Sequence, residues 1–206
     1  MTSKKKYCFF SSMPRKKREV IMYRQGRSLI ADGFEVYNVV CDSKPEEVVE
    51  GINVVPTRYK ASGFFKRAFV APRKLYKKLL EVDADVYHTV NVDQLMMCLR
   101  LKRKGKNVIF EMQEDHPYSL LWKSKAPKWF LKPVVWLMAK WMGYVLRQLD
   151  VVTALSYDSV DYLKSWRIAP DKVYLWGNFP EINQNYELKL EDYLQRDDRL
   201  LYFGII

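Results

Sequence analysis

The residues with the most chemical potential close one apolar run. Asn107 to Phe110 follows the basic turn Lys102 to Lys106 and empties into Phe110-Glu111-Met112-Gln113-Glu114-Asp115-His116-Pro117. A short β run ending in polar side chains is the pattern of a buried parallel strand that opens onto a ligand crevice. The Gln113 amide can hydrogen-bond hydroxyl groups, and Glu114 and His116 add groups able to move protons. His88 closes another predicted strand, Asp85 to Val90, and so reaches the same kind of edge. Each has a plainer reading: an amide touching only backbone, a packing histidine, exposed carboxylates without a role. A second cluster, Ser11-Ser12-Met13-Pro14-Arg15-Lys16-Lys17-Arg18, joins a strand end to a helix N-terminus. There the helix dipole and free backbone N–H groups would reinforce the cations as an anion site. Ser11, Ser12, Arg15 and Lys16 are its phosphate-binding candidates, a lipid diphosphate would suit it, and a solvated basic turn is the alternative.

The elements that must position these groups alternate. Strands are predicted at Tyr7 to Ser11, Phe34 to Val40, Ile52 to Val55, Asp85 to Val90, Asn107 to Met112, Val151 to Leu155 and Lys172 to Trp176. Helical spacing covers Glu19 to Ala31, Lys66 to Leu80, Asp93 to Lys104, Pro133 to Gln148 and Ser156 to Trp166. Gly33 is a natural stop for the first helix. Strand–helix alternation of this kind predicts an α/β, Rossmann-like doubly wound parallel sheet. Residues 1–180 make that domain, 181–198 read as a polar linker, and 199–206 as the first strand of a further domain.

Composition narrows the class. An apolar fraction of 49% is ample for a core and argues against disorder. Cys8, Cys41 and Cys98 are isolated in apolar runs, odd in number and without a CxxC, which reads as buried reduced thiols in a cytoplasmic protein. With only two histidines, neither near a cysteine, no metal site is expected. The apolar stretch after Lys4-Lys5-Lys6 is too short for a signal peptide, and no uninterrupted apolar run is long enough to span a bilayer.

Residues 1–148 hold 29 Lys and Arg against 14 acids, whereas residues 149–206 hold 6 against 10. A basic lobe of this kind expects an anionic partner. Within it, Trp122 to Arg147 carries six Lys and Arg, no acid and four tryptophans. Tryptophan with lysine and without carboxylates is the composition of an interfacial helix on an anionic bilayer. Trp122, Lys125, Lys128, Trp129 and Lys132 are the docking candidates. Val134, Val135, Leu137, Met138 and Val145 are expected to face the core, and a merely solvated basic face is the alternative. A second basic stretch, Phe65 to Lys78, points the same way. Nucleic acid is the weaker partner, since net charge +11 is its only support and no recognition motif is present.

Five segments in order resemble the N-terminal half of family 4 glycosyltransferases, retaining GT-B enzymes built from two facing Rossmann-like domains. They are Arg27 to Val36, Asp85-Val86-Tyr87-His88, Phe110 to Pro117, Asp150-Val151-Val152-Thr153 with Asn178-Phe179-Pro180, and Leu201-Tyr202-Phe203-Gly204. The resemblance implies transfer of a sugar from a nucleotide-sugar co-substrate to a glycan or lipid-linked acceptor, with no metal required. It also implies a donor-binding domain that this sequence does not contain, supplied further along the gene or by a second chain. Gln113, Glu114, His88 and His116 are the catalytic candidates, His116 as a replacement for the histidine the family has at Gln113. Val90 and Asn91 stand where the family often has His and Asp, and Ser11 to Arg18 replaces its glycine-rich first loop. In this family the leaving phosphate can itself take the acceptor proton, which lightens the loss at Gln113. The expected protein is a glycosyltransferase for lipid-linked or surface polysaccharide, peripheral on the inner face of the membrane. The alternative is a non-catalytic, membrane-docked subunit that holds the acceptor for a separate donor-binding chain.

Overall fold

The computed structural model describes residues 4–13, 19–60, 66, 70–177, 191 and 194. Strands β1 (Lys6–Ser11), β2 (Glu35–Val40), β3 (Glu47–Val49), β4 (Ile52–Pro56), β5 (Val86–Thr89), β6 (Asn107–Met112), β7 (Val151–Ala154) and β8 (Val173–Leu175) form one sheet. Their order is β3-β4-β2-β1-β5-β6-β7-β8. All neighbours are parallel except the edge pair β3–β4. The chain winds outward from β1 to β4, then crosses to β5 and winds the other way to β8. The direction reverses between β1 and β5, which is where open α/β sheets leave a crevice at the strand C-termini. The expected doubly wound α/β sheet is therefore the fold.

Alternation along the strands sorts the core into two layers. On one face Cys8, Phe10, Val39, Tyr87, Val108, Phe110, Val152 and Ala154 pack in one cluster with buried residues of four helices. These helices are α2 (Ala71–Val82), α3 (Leu95–Arg103), α5 (Lys128–Leu146) and α6 (Tyr157–Ser165). On the opposite face Tyr7, Phe9, Val36 and Ile52 meet Leu29 and Ile30 of α1 (Glu19–Ala31). Gly26 of α1 lets that helix close on the sheet, since a Cβ there would stand 2.4 Å from Ile52 Cδ1. The three cysteines are buried and free.

Two aspartates of the resembling segments turn out to be staples at the strand N-termini. Asp85 Oδ2 accepts the backbone N–H of Lys6 at 2.8 Å, and Asp150 Oδ2 accepts that of Val108 at 2.8 Å. Each satisfies a first donor of the neighbouring strand that would otherwise lack a ladder partner. Gly33, at φ +88, ends α1 as expected, with its N–H on Ile30 O and that of Phe34 on Leu29 O. Ser156 caps α6 by accepting from Ser159 N.

Several sequence expectations need correction. The α-helical part of the second helix begins at Ala71, with Lys66 and Val70 before it in π-helical conformation, and a 3-10 turn, Val92–Gln94, precedes α3 where a continuous helix from Asp93 was expected. The long helix starts at Lys128, not Pro133: Pro127 caps it and Pro133 lies inside, exposed. A proline costs one helical hydrogen bond, and here the carbonyl losing its donor belongs to exposed Trp129, so water can replace it. Strand β3 and helix α4 (His116–Lys123) were not anticipated. Phe69, residues 181–190, Arg15, Lys16 and the expected strand at 199–206 lie outside the described residues.

Candidate functional site

At the C-terminal ends of β5 and β6 the sheet hides a charge. Glu111 is fully buried on the α1 face of β6, and His88 is 1% exposed. A carboxylate in such a place must be hydrogen-bonded or paired. Glu111 Oε1 accepts from the Gln113 amide at 2.7 Å, and Oε2 from the Gln25 amide of α1 at 2.9 Å. His88 Nε2 stands 3.4 Å from Oε2, close enough for charge to matter yet without hydrogen-bond alignment. Tyr7 O–H meets His88 Nδ1 at 2.9 Å. Phe9 and Trp176 flank the imidazole, with ring centroids 5.2 and 5.8 Å away. Burial pushes the Glu111 carboxyl up. The His88 contact and charge, then the Gln113 and Gln25 donors, outweigh it, and the group sits below its ordinary range.

Beside this pair, at the point where the winding reverses, β1 is tied to the loop after β5. Ser11 Oγ donates to Asn91 Oδ1 at 2.9 Å and Ser12 Oγ to Asp93 Oδ2 at 2.6 Å. Both hydroxyl protons are thus given to protein oxygens, one of them a carboxylate.

The remaining sequence candidates occupy distinct places. Gln113 is half-buried, and apart from the Glu111 bond its amide makes no hydrogen bond to described residues. Glu114 is exposed and bonded to Lys123 Nζ at 2.6 Å, a contact that holds its carboxyl below the usual range. Asp115 caps α4 by accepting from Tyr118 N. His116 and Pro117 open that helix as its first two residues. The structure therefore joins His88 and Gln113 through Glu111, and places Glu114 and His116 on the entry to α4. Tyr7, Gln25, Glu111, Asn91 and Trp176 were missed. Glu111 had a signal, since an acid inside a run otherwise buried on both faces must have a partner.

Next to this edge the α4–α5 pair exposes apolar surface. Trp122 is 64% exposed, Trp129 76%, Trp136 62% and Leu137 64%. Lys128 Nζ sits 4.2 Å above the Trp122 ring, bridging the two helices. Lys125 and Lys132 are exposed. Val145 is buried as expected and Met138 packs on the core, but Val134 and Leu137 face out. Only Leu131 of α5 is buried before Met142, so this half of the helix has no apolar layer beneath most of its side chains. No helix among the described residues is long and apolar enough to cross a membrane.

The fold defines the class: a Rossmann-like sheet of the kind found in GT-B glycosyltransferases. It aligns with sucrose-phosphate synthase from Thermosynechococcus elongatus at TM-score 0.63 and 13% identity, over 84% of this chain and 48% of that one. Arabidopsis thaliana UGT89C1, solved with UDP-L-rhamnose, aligns at 0.54 and 12%, over 90% of this chain and 52% of that one. Glycyrrhiza uralensis UGT73P12, solved with glycyrrhetinic acid 3-O-monoglucuronide, aligns at 0.52 and 10%, over 85% and 49%. The chain spans about half the length of these structures. Comparison with curated protein sequences gives no match. The sequence model of glycosyltransferase family 4 matches residues 19–183, and the chain belongs to that family.

Proposed function

We propose that this chain is the acceptor-side domain of a glycosyltransferase acting on a lipid-linked or surface-polysaccharide acceptor at the inner face of a membrane. The observation that carries the reading is the exposed tryptophan–lysine surface of α4 and α5 beside the crevice. An exposed apolar patch of this kind marks an interaction surface. Its cations, in a segment free of acids, select an anionic bilayer over a neutral partner. In this reading Trp122 and Trp129 enter the headgroup layer, Lys125, Lys128 and Lys132 meet lipid phosphates, and the acceptor is delivered along the surface to Gln113. Glu111 and His88 act as positioning residues that hold the Gln113 amide. Its carbonyl oxygen then accepts the hydrogen bond of an acceptor hydroxyl, and the leaving phosphate of the nucleotide-sugar takes the proton. The donor is held by a second Rossmann-like domain, in the same polypeptide or another.

One observation favours a second reading, a non-catalytic acceptor-binding subunit. Gln113 replaces a histidine of the family's pattern, and an amide cannot carry a proton. The two separate by experiment. The protein is incubated with anionic vesicles containing a membrane lipid extract and radiolabelled nucleotide-sugars, with and without a donor-domain partner. Label appearing in the organic phase supports transfer. Vesicle binding without label under either condition supports the subunit. Absence of binding to anionic vesicles at low salt sinks the membrane reading.

A further inference from the structure

Away from the crevice, a cleft of about 710 Å³ opens between the second half of α5 and the turn that ends α6. Lys140, Arg147 and Arg167 line it together with Trp136 and Trp166, and no carboxylate does. Three cations beside two indole rings, with Lys140 Nζ 5.6 Å from the Trp136 ring and no acid in the lining to neutralise them, form a receptor for an anionic group carried on an apolar body.

Two features show that the fold accommodates these cations at some cost. Arg147 Nη1 donates to Trp166 O at 2.9 Å, which fixes the guanidinium at the cleft wall with its other donors unspent on that bond. Arg167 has φ +59, the left-handed conformation just past the end of α6. Glycine is the usual residue there, and a side chain in that region is strained.

The cleft is continuous with the exposed aromatic face of α5, because Trp136 and Lys140 belong to both. Its far end lies toward the opposite edge of the sheet from Gln113, since α5 leads down into the start of β7. We propose that the cleft holds the phosphate headgroup of an anionic phospholipid. It thereby gives the domain a second anchor about a helix length from Trp129, so that α5 lies along the bilayer plane. The proposal rests on the membrane reading above and adds to it a defined headgroup site.

The test uses the whole chain, phosphatidylcholine vesicles with and without phosphatidylglycerol, and soluble dihexanoyl phosphatidylglycerol followed through tryptophan indole N–H resonances. Arg147→Gln and Arg167→Gly are the variants. Arg167→Gly relieves the left-handed strain and is expected to melt no lower than the parent, so its loss of binding cannot come from unfolding. The expected result is that the short-chain lipid shifts the Trp136 and Trp166 indoles. Each variant should then weaken binding to anionic vesicles about fivefold, as expected for one basic contact. Vesicle binding unchanged in both variants, with no indole shift, overturns the cleft and leaves the docking surface standing. A parent protein that binds no anionic vesicle overturns both. Inorganic phosphate shifting the same indoles as strongly as the lipid overturns the lipid assignment in favour of a general anion cleft.

Discussion

The crevice and the α4–α5 surface invert the ordinary rule of protein interiors in opposite senses. Glu111 places a carboxylate where its sheet is fully buried, and Trp129 places an indole where its helix is most exposed. Each inversion carries a cost. A buried carboxylate is tolerated only with its donors in place, and an exposed tryptophan forgoes burial worth about 1.5–3 kcal/mol for a large side chain. The difference lies in where the compensation comes from. Glu111 is compensated within the chain, by Gln25, Gln113 and His88. Among the described residues Trp129 meets one ring, that of Phe130, 6.1 Å away and itself exposed. The first inversion is closed within the fold, and the second is left open at the surface.

The largest effect should follow from breaking the internal compensation. Glu111→Gln removes the charge facing His88 and confronts the Gln25 and Gln113 donors with an amide. Breaking a buried pair from one side costs about 3–5 kcal/mol, measurable by urea unfolding near neutral pH. The pH dependence has a definite sign. The folded-state Glu111 carboxyl lies below its ordinary value of 4.5, so its stabilisation is complete above that value and is lost as pH falls through the lowered one. The stability gap between parent and variant should therefore close on acidification; a gap that widens instead would show that Glu111 is not held as a carboxylate.

Next comes a comparison within α5. Leu131 is 7% exposed and Leu137 64%. Leu131→Ala should cost about 2–3 kcal/mol, as for other buried leucines, and Leu137→Ala no more than about 0.5 kcal/mol. Equal costs would mean that the outer face of α5 is covered in solution. A smaller effect is read in binding rather than stability. Trp129→Ser should leave the melting temperature within a degree or two of the parent. It should weaken anionic-vesicle binding about tenfold, as loss of roughly 1.5 kcal/mol of apolar contact requires. A variant that binds vesicles unchanged would remove Trp129 from the contact surface.

The sheet was legible in sequence because strands buried on both faces read as continuous apolar runs, and because Gly33 and Ser156 mark helix ends by local chemistry. Helix α4 was not legible: it has only eight residues, and its start is marked by the Asp115 cap rather than by any apolar periodicity. Pro133 misled, since its cost is small only where the freed carbonyl reaches water. The candidate site was half legible. The strand ends at His88 and Gln113 follow from pattern, but their link does not. It runs through Glu111, Tyr7 and Gln25, which come from three elements spaced far apart in sequence and brought together only by the strand order. The outward face of α5 was misjudged at Val134 and Leu137 because helical periodicity shows which residues share a face, not whether anything covers it.

The smallest effect sharpens the comparison most, because it sets two carboxylates three residues apart against each other. Glu114, like Glu111, lies below the ordinary carboxylate range, but its cause is the exposed Lys123 rather than buried neighbours. Solvent screens such a pair, so Lys123→Gln should change stability by no more than about 0.5 kcal/mol. The Glu114 carboxyl should nevertheless titrate closer to 4.5 in that variant, as followed by carboxyl-carbon NMR, while Glu111 stays where it was. If both move together, the two carboxylates belong to one network running from the crevice onto α4. Helix α4 and the crevice would then be electrostatically coupled rather than merely adjacent.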